Sequence, residues 1–139
     1  MSRRPIRFNA FSMSAASHQS PGLWRHPRNR SHERNRLPYW IGLAQLLERG
    51  LFEALFIADV TGVYDVYQGG PQAALRGGVQ VPVSDPVLIV PAMAAATEHL
   101  GFAITFSLTY EHPTRLPGSC RRWTTLPTAA SVGTSSPVT

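Results

Sequence analysis

Ile6, Phe8, Ala10 and Ser12 alternate with Arg7, Asn9, Phe11 and Met13 near the start of the chain. A two-residue period predicts a first strand over residues 6–13, though the alternation of apolar and polar positions is imperfect. Residues 14–37 carry Pro21, Gly22 and Pro27 among many polar side chains and read as a loop. Residues 38–49 hold the clearest helix, with Trp40, Leu43 and Leu47 at helical spacing and Ile41 and Leu46 broadening the apolar stripe. Pro38 suits an early helical position and Gly50 the residue just past the end. Residues 54–58 are continuously apolar, as a strand buried on both faces of a parallel sheet would be.

A long connection follows over residues 60–84, punctuated by Gly62, Gly69, Gly70, Pro71, Gly77, Gly78 and Pro82. Connections of this length are usually functional or mobile. Asp85 and Pro86 then make a good helix start and Gly101 a good stop. Ala92, Ala94, Ala95 and Ala96 would let that helix pack closely on a sheet, while Pro91 predicts a kink or a late start. Residues 102–108 read as a third strand. Strand, helix, strand, helix, strand argues for parallel strands joined by right-handed helical crossovers. Three strands and two helices do not close such a sheet, so the α/β architecture reads as unfinished.

Composition narrows the class. The chain has 139 residues, of which 43% are apolar, enough for one small core. No apolar run approaches the ~20 residues of a membrane-spanning helix, and the N-terminus lacks the apolar stretch of a secretion signal. Cys120 is the only cysteine, so no internal disulfide forms and a reducing cytoplasm is the expected location. All 13 cationic residues are arginine, a bias that points to a GC-rich gene. Arg25, Arg28, Arg30, Arg34 and Arg36, with His26 and His32, form a basic cluster. A small arginine-rich nucleic-acid-binding protein is therefore the alternative reading. Without interleaved aromatics between Arg25 and Arg36 or a known module, a solvated loop is the favoured one.

In barrels built from strand–helix units, chemistry sits at the C-terminal ends of the strands. Asp59 stands there, directly after Leu55-Phe56-Ile57-Ala58. Thr105, Ser107 and Thr109 recur with the period that puts them on one side of the third strand, ahead of Tyr110-Glu111-His112-Pro113. The plain reading stands beside this one, because strand-end aspartates cap turns and threonine favours strands.

Four segments read together sharpen the choice: Gly22-Leu23-Trp24-Arg25-His26, Leu46-Leu47-Glu48-Arg49-Gly50-Leu51-Phe52, Leu55-Phe56-Ile57-Ala58-Asp59, and the run from Ala92 through Met93 and Glu98-His99-Leu100 to Gly101. In this order and spacing they resemble the bacterial-luciferase-like flavin-dependent monooxygenases, in the nitrilotriacetate and dibenzothiophene-sulfone monooxygenase branch, over residues 6–113. The resemblance implies a TIM (β/α)₈ barrel, of which this chain would hold the N-terminal part, truncated after about three strands and two helices. It implies FMN, supplied reduced by a separate flavin reductase, and the oxygenation of a small organic substrate with O₂. Asp59 and Thr105 match flavin-contacting positions, and Ser107 would line the same mouth, with Thr109 and Tyr110 beyond it. Catalytic and substrate-binding residues remain unassigned, no metal is implied, and intact members are expected to be homo-oligomers.

The chain divides into residues 1–113, the barrel portion, and residues 114–139, a tail without acidic residues or periodicity. Composition alone reads that tail as disordered. In the family a segment resembling DHLTxGRxxWNxVT follows the third strand, and codons for residues 122–139 read in a shifted frame can encode it. The tail is thus expected to be off-frame, and the product to be an incomplete, inactive chain.

Overall fold

The computed structural model describes residues 6–18, 20–60, 62–107 and 133–135. Four strands form one parallel sheet in chain order: β1 (Asn9–Met13), β2 (Ala54–Ala58), β3 (Gly101–Ser107) and β4 (Gly133–Ser135). Helix α1 (Leu37–Arg49) joins β1 to β2. Between β2 and β3 lie the short helices α2 (Gln72–Gly77) and α3 (Val90–Ala94). The parallel strand–helix–strand repeat expected from the sequence is present. The expected tail lies outside the described residues except for β4.

Alternation along the strands sorts their side chains into two unequal faces. Leu55 and Ile57 of β2 and Phe102 and Ile104 of β3 are buried on one side. They form one core with Trp40, Ala44 and Leu47 of α1, Val90, Met93 and Ala94 of α3, and Leu100. The opposite side carries Phe11, Ala54, Phe56, Ala58, Ala103 and Thr105, brought level by the pairs Phe11↔Phe56 and Phe56↔Ala103. These are half-buried or exposed, with Phe11 at 53%, whereas Met13, level with Ala58 on the same side, is buried at 8% exposure. The apolar run 54–58 therefore differs from the expectation of a strand buried on both faces: its burial alternates, because both α1 and α3 pack on the Leu55 side.

Local chemistry explains where the elements begin and end. Pro38 lies in the first turn of α1, where its missing N–H costs no helical bond. The Trp40 indole N–H donates to the Arg34 carbonyl, which satisfies the one polar group of a side chain 1% exposed. Gly50 does follow α1, but at φ −79° it is not the left-handed residue; Leu51 takes that conformation at φ 59°. Asp85 caps a single 3₁₀ turn, Pro86–Leu88, by accepting from the Val87 N–H at 2.8 Å. The helix expected over residues 85–101 is shorter than its sequence signals, because α3 starts late, with Pro91 in its first turn.

Two polar clasps hold the connections in place. Glu48, near the end of α1, accepts from the backbone N–H groups of Glu98, His99 and Leu100 at 2.7, 2.6 and 3.2 Å. These donors, His99 first, hold its carboxyl below the usual carboxylate range. The second clasp joins the loops after β1 and β2. The Trp24 indole N–H donates to the Gly77 carbonyl at 2.8 Å, and the Ser17 hydroxyl to that of Gly78 at 3.0 Å. Gly78 has φ +61°, and a Cβ there would lie 3.0 Å from Trp24 Nε1.

A carboxylate whose pKa is depressed by folding stabilises the fold above its unfolded pKa, and that contribution fades as pH falls through the folded value. Glu48→Gln is expected to lower the melting temperature at neutral pH and to lose its effect on acidification; thermal melts of both proteins across pH check this. Gly78→Ala is expected to cost about 1–2 kcal/mol, the penalty of a left-handed non-glycine residue, with added crowding against Trp24. Urea titration of the two proteins measures it.

Candidate active site at the strand ends

Parallel strands present all their C-terminal ends together. Met13 pairs with Ala58, and the register Ile57↔Ile104 continued by one residue sets Ala58 beside Thr105. Ser14, Asp59 and Thr105 therefore come to the same end of three adjacent strands. Thr105 is half-buried and shares the parity of Ala103 on the open face. Asp59 is half-buried and engaged in an interaction of its own. Strict alternation would send Asp59 to the side of Leu55 and Ile57, but β2 ends at Ala58, so the pleat no longer dictates its direction. The two residues are thus joined by strand ends rather than by a common strand face. Ser107 closes β3, level with Ser135 of β4. Thr109 and Tyr110 lie outside the described residues.

The fold adds residues that the sequence did not single out. Ser14, directly after β1, is 0% exposed, and its hydroxyl has no hydrogen-bond partner among the described residues. Gln80, in the long connection, is 4% exposed and adopts a left-handed φ of 55°. A glutamine rarely takes this conformation, and such strain, of order 1–3 kcal/mol, concentrates at functional sites. Its amide Nε2 lies 2.9 Å from His18 Nδ1, and its N–H donates to the Ser17 carbonyl at 2.9 Å. Gln80 Oε1 has no partner among the described residues. The His18 ring lies 5.1 Å from that of Phe11 on the open sheet face. Buried polar atoms without partners cost stability unless something completes them. No spacing rule joins His18 to Gln80 across so much chain, so only the folded loops reveal the pair.

The two loops also line a cavity of about 640 Å³ that is open to solvent. Pro21 comes from the loop after β1; Tyr64, Tyr67, Ala74 and Val79 come from the connection after β2. The lining is overwhelmingly apolar, and Tyr64, Tyr67 and Gln68 are its residues with polar side-chain groups. The connection over residues 60–84 therefore has structure of its own: α2 and a 3₁₀ turn at Tyr67–Gly69 build the wall.

The arginine cluster is used locally. Arg30 forms an ion pair with Glu33 at 2.7 Å, Arg34 donates to the Ser31 carbonyl at 3.2 Å, and Arg25 stacks 4.9 Å from the Trp24 ring. Arg25, Arg30 and Arg34 thus have partners within residues 24–34. Among the described residues no group of three His, Cys, Asp or Glu is placed to share a metal ion. No helix among them is long and apolar enough to cross a membrane.

Comparison with known proteins gives this strand-end geometry a context. No family model matches the chain. It is 53% identical over 123 residues to long-chain alkane monooxygenase of Geobacillus thermodenitrificans, a match covering 88% of this chain and 27% of that enzyme. It is 52% identical over 124 residues to dimethyl-sulfide monooxygenase of Hyphomicrobium sulfonivorans, covering 89% and 25%. The crystal structure of a long-chain alkane monooxygenase superposes with a TM-score of 0.83 at 49% identity, over 96% of this chain and 32% of that one. The chain spans about a quarter of the length of these curated relatives. Its homologues are the luciferase-like monooxygenases, TIM-barrel enzymes that include the dibenzothiophene-sulfone and nitrilotriacetate monooxygenases its sequence resembles, and it is a portion of that barrel.

Proposed function

We propose that this chain is part of a two-component, FMN-dependent monooxygenase that oxygenates a small apolar organic compound. Residues 1–113 form the barrel portion and residues 114–139 an off-frame tail, and the chain alone is inactive. The observation that carries the reading is the 53% identity to an alkane monooxygenase, together with a superposition that covers 96% of this chain. Support for the cofactor includes a riboflavin lyase solved with modified FMN, similar in structure at a TM-score of 0.81 and 28% identity.

The residues at the strand ends fit a flavin. A planar ring needs a side-chain-poor surface with a few hydrogen-bonding groups at its edge. Ala58, Ala103 and Thr105 supply the first on the open sheet face. Thr105 and Asp59 supply the second, and Ser14 Oγ and Gln80 Oε1, which have no partner among the described residues, are further candidates. Bound and reduced by a separate flavin reductase, FMN would supply the activation of O₂, while the protein supplies orientation and dry walls. Asp59 then acts as a positioning residue. The apolar cavity bordered by Tyr64 and Tyr67 would hold the substrate; two relatives named for a long-chain alkane and for dimethyl sulfide suit such a lining.

A chimera tests this. The 123 residues matched in the Geobacillus enzyme are replaced by those of this chain, and FMN affinity is read by fluorescence quenching. The chimera is expected to bind FMN and to oxygenate substrate when a reductase is added. In it, Thr105→Val is expected to weaken FMN binding about 3- to 10-fold, the loss of one hydrogen bond. FMN affinity indifferent to both Thr105→Val and Asp59→Asn would overturn the assignment. So would saturable micromolar FMN binding by the unmodified chain alone.

A further inference from the structure

The residues lining the cavity between the two loops fall into two groups of different character. Pro21, Ala73, Ala74 and Val79 belong to backbone that is tied down. Just past Ala74, the Gly77 carbonyl accepts from Trp24 at 2.8 Å and the Gly78 carbonyl from Ser17 at 3.0 Å. The Val79 N–H donates to the Ala74 carbonyl at 3.0 Å, and Val79 pairs with Ser17 in a short bridge. A Cβ on Gly77 would lie 3.2 Å from Val79 Cγ2, so there is no slack between these segments. Ala74 is 7% exposed and offers the cavity only a methyl group. The other group stands in water. Val66 and Tyr67 belong to an unbroken run of exposed residues, 62–69, and Val66 is 88% exposed. Their turn is closed by the Gly69 N–H donating to the Val66 carbonyl at 3.3 Å, with Gln68 and Gly69 both left-handed.

This difference decides which residues can measure a ligand. Segments with few buried contacts shift at little cost, whereas tightly packed ones resist any added volume. Extra carbons on a ligand are therefore absorbed on the Val66 side and refused on the Ala74 side. At about 640 Å³ the space is of the size that holds whole organic ligands, so a fixed position along it can limit their length. We propose that Ala74, with Val79 beside it, is the specificity-determining position of this cavity and fixes the longest unbranched alkyl chain it holds. An almost wholly carbon lining suits such a chain, which needs no polar partner. The inference rests on the proposed reading of the cavity as the substrate pocket, and adds to it the residues that set substrate length.

The test uses the full 139-residue chain and primary alcohols from 1-butanol to 1-dodecanol, without FMN or reductase. Their alkyl tails probe the cavity while the hydroxyl stays at its open mouth, and NMR titration gives the affinities. Each buried methylene is expected to strengthen binding about fourfold, until the tail meets the fixed wall and the rise stops. Ala74→Leu puts more carbon on that wall and is expected to stop the rise at a shorter chain. Binding of 1-dodecanol then falls about tenfold or more, while that of 1-butanol changes less than about twofold. Val79→Ala is expected to move the stop the other way, to longer chains. Val66→Phe, on the yielding side, is expected to leave it in place. Circular dichroism verifies that each variant folds, and Val79→Ala decides alone if Ala74→Leu does not. A stop unmoved by a folded Ala74→Leu or by Val79→Ala, or moved as far by Val66→Phe, would overturn the inference and leave the pocket reading standing. A chain that binds none of the alcohols would overturn both.

Discussion

The described fold depends on a parallel sheet whose two packed helices, α1 and α3, both lie on the Leu55 side. Backbone pairing along β1, β2 and β3 forces Leu55, Ile57, Phe102 and Ile104 to one face, where α1 and α3 cover them. The same pleat forces Phe56, Ala103 and Thr105 to the other. Burial of the first set supplies the hydrophobic stabilisation, at roughly 1.5–3 kcal/mol for each large side chain. The second set is left for contacts beyond these helices. One geometric rule thus produces both the core and the surface on which function would be built.

The parallel arrangement also gathers chemistry. Strands running the same way deliver their C-terminal residues to one end, so Ser14, Asp59 and Thr105 become neighbours despite wide separation in sequence. The loops leaving that end are clasped to one another through Trp24 and Gly77, and through Ser17 and Gly78. Their meeting buries Gln80 against His18 and leaves its side-chain Oε1 without a partner among the described residues. Glu48 performs the equivalent task at the other end of the sheet, pinning the turn before β3 to the end of α1.

Much of the fold was legible in the sequence because its signals are local. Trp40, Leu43 and Leu47 mark α1, the apolar run marks β2, and the order of elements implies parallel pairing. The limits of the reading have physical causes. Continuous hydrophobicity at residues 54–58 does not reveal that α1 and α3 both pack on the Leu55 side, since alanine and phenylalanine are apolar whichever way they point. Left-handed geometry fell on Leu51 rather than Gly50, where propensity would place it. The site was legible only as strand-end positions, Asp59 and Thr105. Ser14, His18 and Gln80 are ordinary polar residues in loops; burial and atoms without partners among the described residues single out Ser14 and Gln80, and contact with Gln80 singles out His18, all properties of the folded chain.

The unequal faces can be read directly by thiol labelling. In a Cys120→Ser background, single cysteines at Phe11 and at Ile104 report the open and the packed side. Labelling of Phe11→Cys at close to the rate of an unfolded peptide, with Ile104→Cys strongly protected, is the predicted result. Equal protection at both positions would mean that both sides of the sheet are covered alike, and the account of two unequal faces would be wrong.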